Sequence, residues 1–147
     1  GPLDAVLPAA AESGTAIIAR VPLASGLLSG RYDAITTFAA DDHRTYNRHG
    51  EAFDVGETFS GVPYDVGLEA VAALRGVVPA GVATAAFALR WVLDQPGVTT
   101  VIPGARSRAQ AEGNAAAADL PPLTSEQQSA VVEIYDRLVR PLVHDRW

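Results

Sequence analysis

The stretch that decides the fold is Val98-Thr99-Thr100-Val101-Ile102-Pro103-Gly104-Ala105-Arg106-Ser107-Arg108-Ala109-Gln110. Its β-branched first half predicts a buried strand, and the residues after Gly104 predict a turn and a helix. A glycine turn at a helix N-terminus offers backbone N–H groups and the positive end of the helix dipole to a phosphate. Arg106 and Arg108 add guanidinium groups that can hold a phosphate with paired hydrogen bonds. The stretch therefore predicts a phosphate site at the end of a strand, with a solvated surface turn as the alternative.

A second strand with a small-residue exit lies near the start of the chain. The apolar run from Thr15 to Val21 predicts a parallel strand buried on both faces. It is followed by Pro22-Leu23-Ala24-Ser25-Gly26-Leu27-Leu28-Ser29-Gly30, where small side chains allow a ligand to approach the backbone closely. We expect this loop to contact a ligand, with a plain turn at the strand end as the alternative.

Helical patterns surround the two strands. The alternation of strand and helix predicts the α/β class, with one domain spanning residues 1–147. Because parallel sheets need neighbours on their edges, two strands alone predict a partial sheet. Five to six helices are expected, including the segments 3–12, 65–78 (capped by Asp65), 83–94, 108–117, and a long helix that begins with a capping box at Thr124 and Gln127.

The segment from Tyr32 to Tyr64 shows no hydrophobic periodicity and predicts a long, lid-like loop over residues 32–64. It contains Asp42, His43 and Arg44. A histidine beside carboxylates suits acid–base chemistry near neutral pH, so His43 is the candidate acid–base group, with Asp42 or Asp41 orienting it and Arg44 stabilising an anion. A solvated lid without chemistry is the alternative. The spacing of histidines and carboxylates predicts no metal site.

The two strand exits together resemble the C-terminal portion of the aldo-keto reductases. In that family a Gly-x-Arg turn and a Gln-x-x-x-Asn pair hold the adenosine 2′-phosphate of NADP, and a Pro-Leu-x-x-Gly-x-Leu loop wraps the pyrophosphate. The resemblance implies a partial (β/α)8 barrel whose two parallel strands are the seventh and eighth of the family barrel. It also implies NADP binding by Arg20, Pro22, Leu23, Ser25, Gly26, Gly104, Ala105, Arg106, Arg108, Gln110 and Asn114.

The chain contains no lysine, since all 11 basic residues are arginine. The family's chemistry resembles a Tyr–Lys–His–Asp arrangement, and a guanidinium cannot replace the compact, deprotonatable ammonium of its lysine. We therefore expect a truncated aldo-keto reductase-like protein that holds NADP but does not reduce carbonyls alone. Two alternatives stay open: a cofactor-independent cyclase, dehydratase or isomerase of secondary metabolism, and a non-catalytic fragment or partner subunit.

Composition limits the partners of the chain. A net charge of -6 and a pI near 4.9 leave no basic surface for nucleic acid, so a small-molecule ligand is expected. No apolar run is long enough for a membrane span. The absence of cysteine and the Ala, Val, Arg and Gly bias favour a bacterial, cytoplasmic protein. The first residues, Gly1 and Pro2, without a methionine, are typical of a cleaved tag or an excised piece.

Open strand edges predict an assembly. Unpaired N–H and C=O groups on a buried strand edge are costly, so we expect a homodimer with a shared sheet, or a partner chain that completes the barrel. In either case the ligand would bind near the strand ends.

Overall fold

The computed structural model describes residues 2–146; Gly1 and Trp147 lie outside the described residues. A π-helical turn over Pro2–Val6 leads into the first helix. The helices and strands are α1 Leu7–Ser13, β1 Ile17–Arg20, α2 His43–Tyr46, α3 Tyr64–Arg75, α4 Thr84–Leu93, β2 Val98–Ile102, α5 Arg108–Ala116, α6 Ser125–Ile134 and α7 Arg140–Val143. A π-helical segment over Tyr135–Val139 joins α6 to α7. Within the described residues, no helix has the length and apolar character that crossing a membrane requires.

The sheet consists of β1 and β2, which pair in parallel. Ile17 lies opposite Val98 and Arg20 lies opposite Ile102, with an irregularity after Ile17. The predicted α/β class and the two parallel strands are confirmed. Because the strands run in the same direction, their C-terminal ends meet at one edge, and both predicted ligand loops leave from that edge.

The two faces of the sheet differ in burial. Ala19 and Val101 pair on a half-buried face, and α4 packs against β2. On the opposite face Ile18 is 61% exposed and Ile102 is 58% exposed. The prediction that the strands are buried on both faces is therefore wrong for this chain, because its own helices cover only one side of the sheet.

The hydrophobic core lies beside the sheet, between α3 and the segment that follows β1. Phe59, Leu27 and Val71 form its buried centre. Leu27 packs so closely on α3 that a methyl group at Gly67 would lie 2.6 Å from its side chain. The segment 32–64 is thus packed, with α2 and two 3-10 turns, Val55–Glu57 and Phe59–Gly61, inside it.

The helix starts follow from local hydrogen bonds. The capping box predicted at Thr124 and Gln127 is present. Asp65, predicted to cap α3, instead lies in its first turn, because the helix begins at Tyr64 directly after Pro63. The extended backbone of Pro63 (φ -52°, ψ 139°) sets this boundary. In the first turn the Asp65 carboxylate still interacts favourably with the helix dipole.

Candidate functional site

The candidate site lies at the edge where both strands end. The pairing of Arg20 with Ile102 brings the loop 21–30 and the turn 103–107 to the same edge. Every residue predicted to hold a cofactor belongs to these two exits, to Arg20 or to α5. Residues far apart in the sequence are thus brought to one edge of the fold.

At the exit of β2, side chains of α5 hold the turn in place. The Oε1 atom of Gln110 accepts a hydrogen bond from the backbone N–H of Arg106 at 2.7 Å. The amide of Asn114 donates to the carbonyl oxygen of Gly104 at 3.3 Å. Ser107 caps α5 by accepting from the backbone N–H of Gln110 at 3.2 Å. Gln110 and Asn114 therefore shape the turn through its backbone.

The two arginines of this exit differ in what they contact. Arg108 donates to the Glu112 carboxylate at 2.7 Å, in an exposed i,i+4 pair of a kind that contributes little to stability. Arg106 is exposed, and within residues 2–146 no carboxylate pairs with its guanidinium. The space beside the α-carbon of Gly104 is also open, since a Cβ there would have no heavy atom within 4 Å among the described residues. Arg106 is therefore the guanidinium of this turn that is available to an anion.

The exit of β1 has an unusual backbone. Val21, Ala24 and Ser25 have φ values of 51°, 46° and 56°, and Gly26 follows at 86°. Left-handed backbone at non-glycine residues costs on the order of 1 kcal/mol each and persists only where the surroundings hold it. Among residues 2–146 no group accepts a hydrogen bond from the backbone N–H of Ser25 or Gly26. Successive unbonded N–H groups in such a turn form a concavity that suits an anion.

The Ser25 hydroxyl is engaged by the segment 32–64. Its Oγ accepts from the backbone N–H of Phe59 at 3.2 Å and lies 3.3 Å from both the Glu57 carbonyl oxygen and His43 Nε2. The hydroxyl has one proton, which it can donate to the Glu57 carbonyl oxygen while its oxygen accepts from Phe59, and the direction of its contact with His43 Nε2 depends on the imidazole tautomer. The side chain of Ser25 thus anchors the loop.

Arg20 forms an ion pair that its sequence position does not reveal. Its guanidinium donates to both carboxylate oxygens of Glu57, at 3.0 and 3.4 Å. This hydrogen bonding raises the pKa of Arg20 above its ordinary value. Glu57 is missing from the predicted site because no local pattern connects residues so far apart in the sequence. The pair ties the end of β1 to the turn Val55–Glu57 and must open if Arg20 is to stack on a ligand ring.

Asp42, His43 and Arg44 lie together, but Asp42 pairs with Arg44. The Arg44 Nε donates to Oδ1 of Asp42 at 2.8 Å and its Nη2 donates to Oδ2 at 2.5 Å. These bonds hold the pKa of Asp42 well below its usual range and raise the pKa of Arg44. The His43 Nδ1 lies 3.6 Å from Oδ1 of Asp42, which is too long for a hydrogen bond. The carboxylate therefore fixes the arginine.

Two depressions on the surface lie elsewhere. One of about 450 Å³ is lined by Thr36, Thr37, Phe38, Thr45, Arg48, His49 and Glu51. A second, of about 460 Å³, is lined by Asp54, Val55, Gly56, Ser60 and Arg146. Neither includes a predicted cofactor or catalytic residue. Within residues 2–146 no cluster of three or more histidines and carboxylates is arranged to hold a metal ion.

The chain belongs to the aldo/keto reductase family, whose sequence profile matches residues 4–136. Among solved structures, a glycerol dehydrogenase from Gluconobacter oxydans is similar, with a TM-score of 0.75 and 30% identity over 94% of this chain. An aldo-keto reductase from Bacillus halodurans, solved in apo and holo forms, has a TM-score of 0.59 and 25% identity over 90% of this chain. The chain spans 39% and 38% of the lengths of these relatives. No curated protein is detectably similar in sequence.

Proposed function

We propose that this chain is the cofactor-holding, C-terminal part of an NADP-dependent aldo/keto reductase of the bacterial cytoplasm. The observation that carries the proposal is the strand register, which joins Arg20 to Ile102 and so brings both ligand loops to one edge. Family membership adds the expectation that this edge faces NADP.

The residues at the edge fit a dinucleotide that carries three phosphates. The unbonded N–H groups of Ser25 and Gly26 suit the pyrophosphate, and Arg106 with the N-terminus of α5 suits the 2′-phosphate. NADP, when bound, supplies a hydride donor or acceptor. The residues of this chain bind and orient it, and Gln110 and Asn114 support the turn that carries Arg106.

Hydride transfer to a carbonyl would need residues outside this chain. The chain has no lysine, so we propose that the Tyr–Lys–His–Asp group of the family comes from the rest of a longer polypeptide or from a partner chain. The exposed face with Ile18 and Ile102 supports this, because such side chains usually lie in a core. Light scattering distinguishes a homodimer from a single chain, because the homodimer would have twice the 15.3 kDa chain mass.

The geometry favours cofactor holding over the acid–base alternative. An acid–base role for His43 would use Asp42 or Asp41 to orient the imidazole, but Arg44 occupies both oxygens of Asp42, and among residues 2–146 no hydrogen bond joins Asp41 to His43. Arg44 in turn donates to a backbone carbonyl, that of Ser25, and so faces the protein. The remaining alternative is a non-catalytic fragment. It differs from the proposed function in one respect, which is that it would not bind NADP.

A fluorescence titration with NADPH and NADH tests the proposal. We expect NADPH to bind with a Kd below about 1 mM, a free energy near −4 kcal/mol, and NADH to bind about tenfold more weakly. Arg106→Met should lower NADPH affinity to that of NADH and leave NADH unchanged, because only NADPH has the 2′-phosphate. Arg108→Met is the matched control, since Glu112 already engages that guanidinium. Absence of NADPH binding, or equal losses for both nucleotides, would overturn the proposal.

A further inference from the structure

We propose that Arg44 is a positioning residue for the exit loop of β1. By donating a hydrogen bond to the Ser25 carbonyl oxygen, Arg44 orients the next N–H group, that of Gly26, towards the ligand edge. The proposal rests on the proposed function of this edge in binding phosphate. In this role Arg44 contacts the exit loop of β1 and does not contact a substrate.

The peptide bond between Ser25 and Gly26 connects the carbonyl that Arg44 contacts to the N–H of Gly26. Among residues 2–146 there is no cis peptide bond. In a trans peptide the carbonyl oxygen and the next N–H lie in one plane and point in opposite directions. The Nη1 of Arg44 donates to the Ser25 carbonyl oxygen at 3.3 Å. Holding this oxygen on the side of Arg44 therefore fixes the Gly26 N–H on the other side, where no described residue accepts it.

Arg44 is itself held firmly. Asp42 binds two of its nitrogens, and the Tyr32 hydroxyl accepts a short hydrogen bond from Nη1. The guanidinium carbon lies 4.3 Å from the ring centroid of Phe38. The side chain is 17% exposed, so these contacts are poorly screened by water. A planar fork is required to reach a carboxylate, a hydroxyl and a carbonyl together, which a lysine ammonium on one flexible stem cannot reproduce.

The loop needs such a restraint because its backbone is strained. Ala24 and Ser25 have positive φ without being glycine, a conformation that relaxes unless neighbours hold it. At Gly26 a side chain is excluded twice: by φ of 86° and because a Cβ would lie 2.5 Å from the Tyr32 hydroxyl oxygen. Arg44 therefore contacts Ser25, and Tyr32 lies against the adjacent Gly26; the N–H groups of both loop residues are unbonded.

The test combines backbone relaxation with NADP+ binding on the 147-residue chain. Arg44→Met should lower the ¹⁵N order parameters of Ser25 and Gly26 from about 0.85 to below about 0.6 and weaken NADP+ binding about tenfold. Arg44→Lys should behave like Arg44→Met. Arg48→Met is the matched control, because Arg48 also contacts aromatic rings but donates to the Arg44 carbonyl and not to Ser25. It should lower the Tm and leave the loop ordered.

The outcomes separate the two proposals. Unchanged order parameters in folded Arg44→Met, or a loosened loop with unchanged NADP+ affinity, would overturn the positioning role. If wild-type protein fails to bind NADP+, the proposed function fails, and the relaxation data alone decide whether Arg44 holds the loop. If Arg44→Met does not fold, Asp42→Asn replaces it, since it removes the charge that fixes Arg44. The same loss of order at Ser25 and Gly26 is then expected, and its absence would contradict the role.

Discussion

The irregular segment 21–64 and the two-stranded sheet differ in burial, and the difference is the reverse of what their sequences suggest. The polar segment contains fully buried residues, whereas one hydrophobic face of the sheet is exposed. The sheet residues are the more hydrophobic, yet Ile18 and Ile102 are more than half exposed. The segment 21–64 is rich in polar residues and glycine, yet Asn47, Thr58 and Phe59 within it are at most 1% exposed. Whether a side chain is buried therefore depends on which other elements of the chain pack against it. The segment finds its partners within this chain, and the bare face of the sheet does not.

The largest expected effect on stability comes from truncating a buried side chain in the segment 21–64, compared with truncating an exposed one on the bare face of the sheet. Phe59 packs on Tyr64 with ring centroids 5.2 Å apart, so Phe59→Ala should lower the free energy of unfolding by about 3–5 kcal/mol. Ile18→Ala, the matched hydrophobic truncation on the bare face, should change it by less than about 0.5 kcal/mol. Urea unfolding followed by circular dichroism measures both. Similar losses in the two variants would show that the face of the sheet is covered in solution.

The next effect concerns a buried amide. Asn47 accepts from the backbone N–H groups of Ala52 and Phe53 at 2.9 and 2.8 Å and donates to Thr58 Oγ1 at 3.2 Å. Asn47→Ala leaves these groups unpaired, so we expect a loss of about 2–3 kcal/mol in thermal unfolding. Asn114→Ala, which removes a single hydrogen bond at a more exposed site, should cost less than about 1 kcal/mol. Equal losses would mean that the segment 32–64 does not depend on Asn47.

A smaller, pH-dependent effect comes from the pair of Asp42 and Arg44. The folded-state pKa of Asp42 is lowered below its ordinary value of 3.8, so its stabilisation is present above about pH 4 and is lost as the pH falls further. Asp42→Asn should cost about 1.5–2 kcal/mol at pH 7 and clearly less at about pH 2, because the stabilisation is lost only as the pH falls towards the lowered folded-state pKa of Asp42. Urea midpoints at the two pH values measure this. A cost that is independent of pH would show that the charge of Asp42 plays no part.

The smallest effect is expected at the pair of Arg20 and Glu57. Their side chains are 67% and 46% exposed, so Glu57→Gln should lower the urea midpoint only slightly. Because exposed charges are screened by salt, the difference should vanish in 1 M NaCl, where the screening length is about 3 Å. Urea unfolding with and without the salt measures it. A larger loss that persists in salt would mean that the pair is a structural tie.

Local signals in the sequence predicted much of the fold. The β-branched run before Gly104 and the capping box at Thr124 each depend on neighbouring residues, and both elements form as predicted. The predicted cap of α3 was wrong by two residues, because Pro63 and not Asp65 precedes the first helical residue. The exposure of Ile18 could not be predicted from its own segment, since it depends on which elements cover the other face.

The candidate site likewise has a part that local sequence predicts and a part that it does not. The residue types at both strand exits are readable from motifs, and Gln110 holds its turn by a contact four residues away. The contact between Arg44 and the Ser25 carbonyl, like that between Arg20 and Glu57, joins distant parts of the chain. Such pairs follow from the path of the backbone in three dimensions, which no local spacing encodes. Whether the predicted residues bind NADP stays a prediction.

The claim that the two strand exits form one ligand edge can be decided by an NMR titration. The amide signals of Ser25, Gly26, Arg106 and Arg108 would be followed in ¹H–¹⁵N spectra as NADP+ is added. Signals from both exits should shift along a single binding curve with one Kd, because one molecule contacts both. If only one exit responds, if the two fit different dissociation constants, or if neither moves up to about 1 mM, the claim is contradicted.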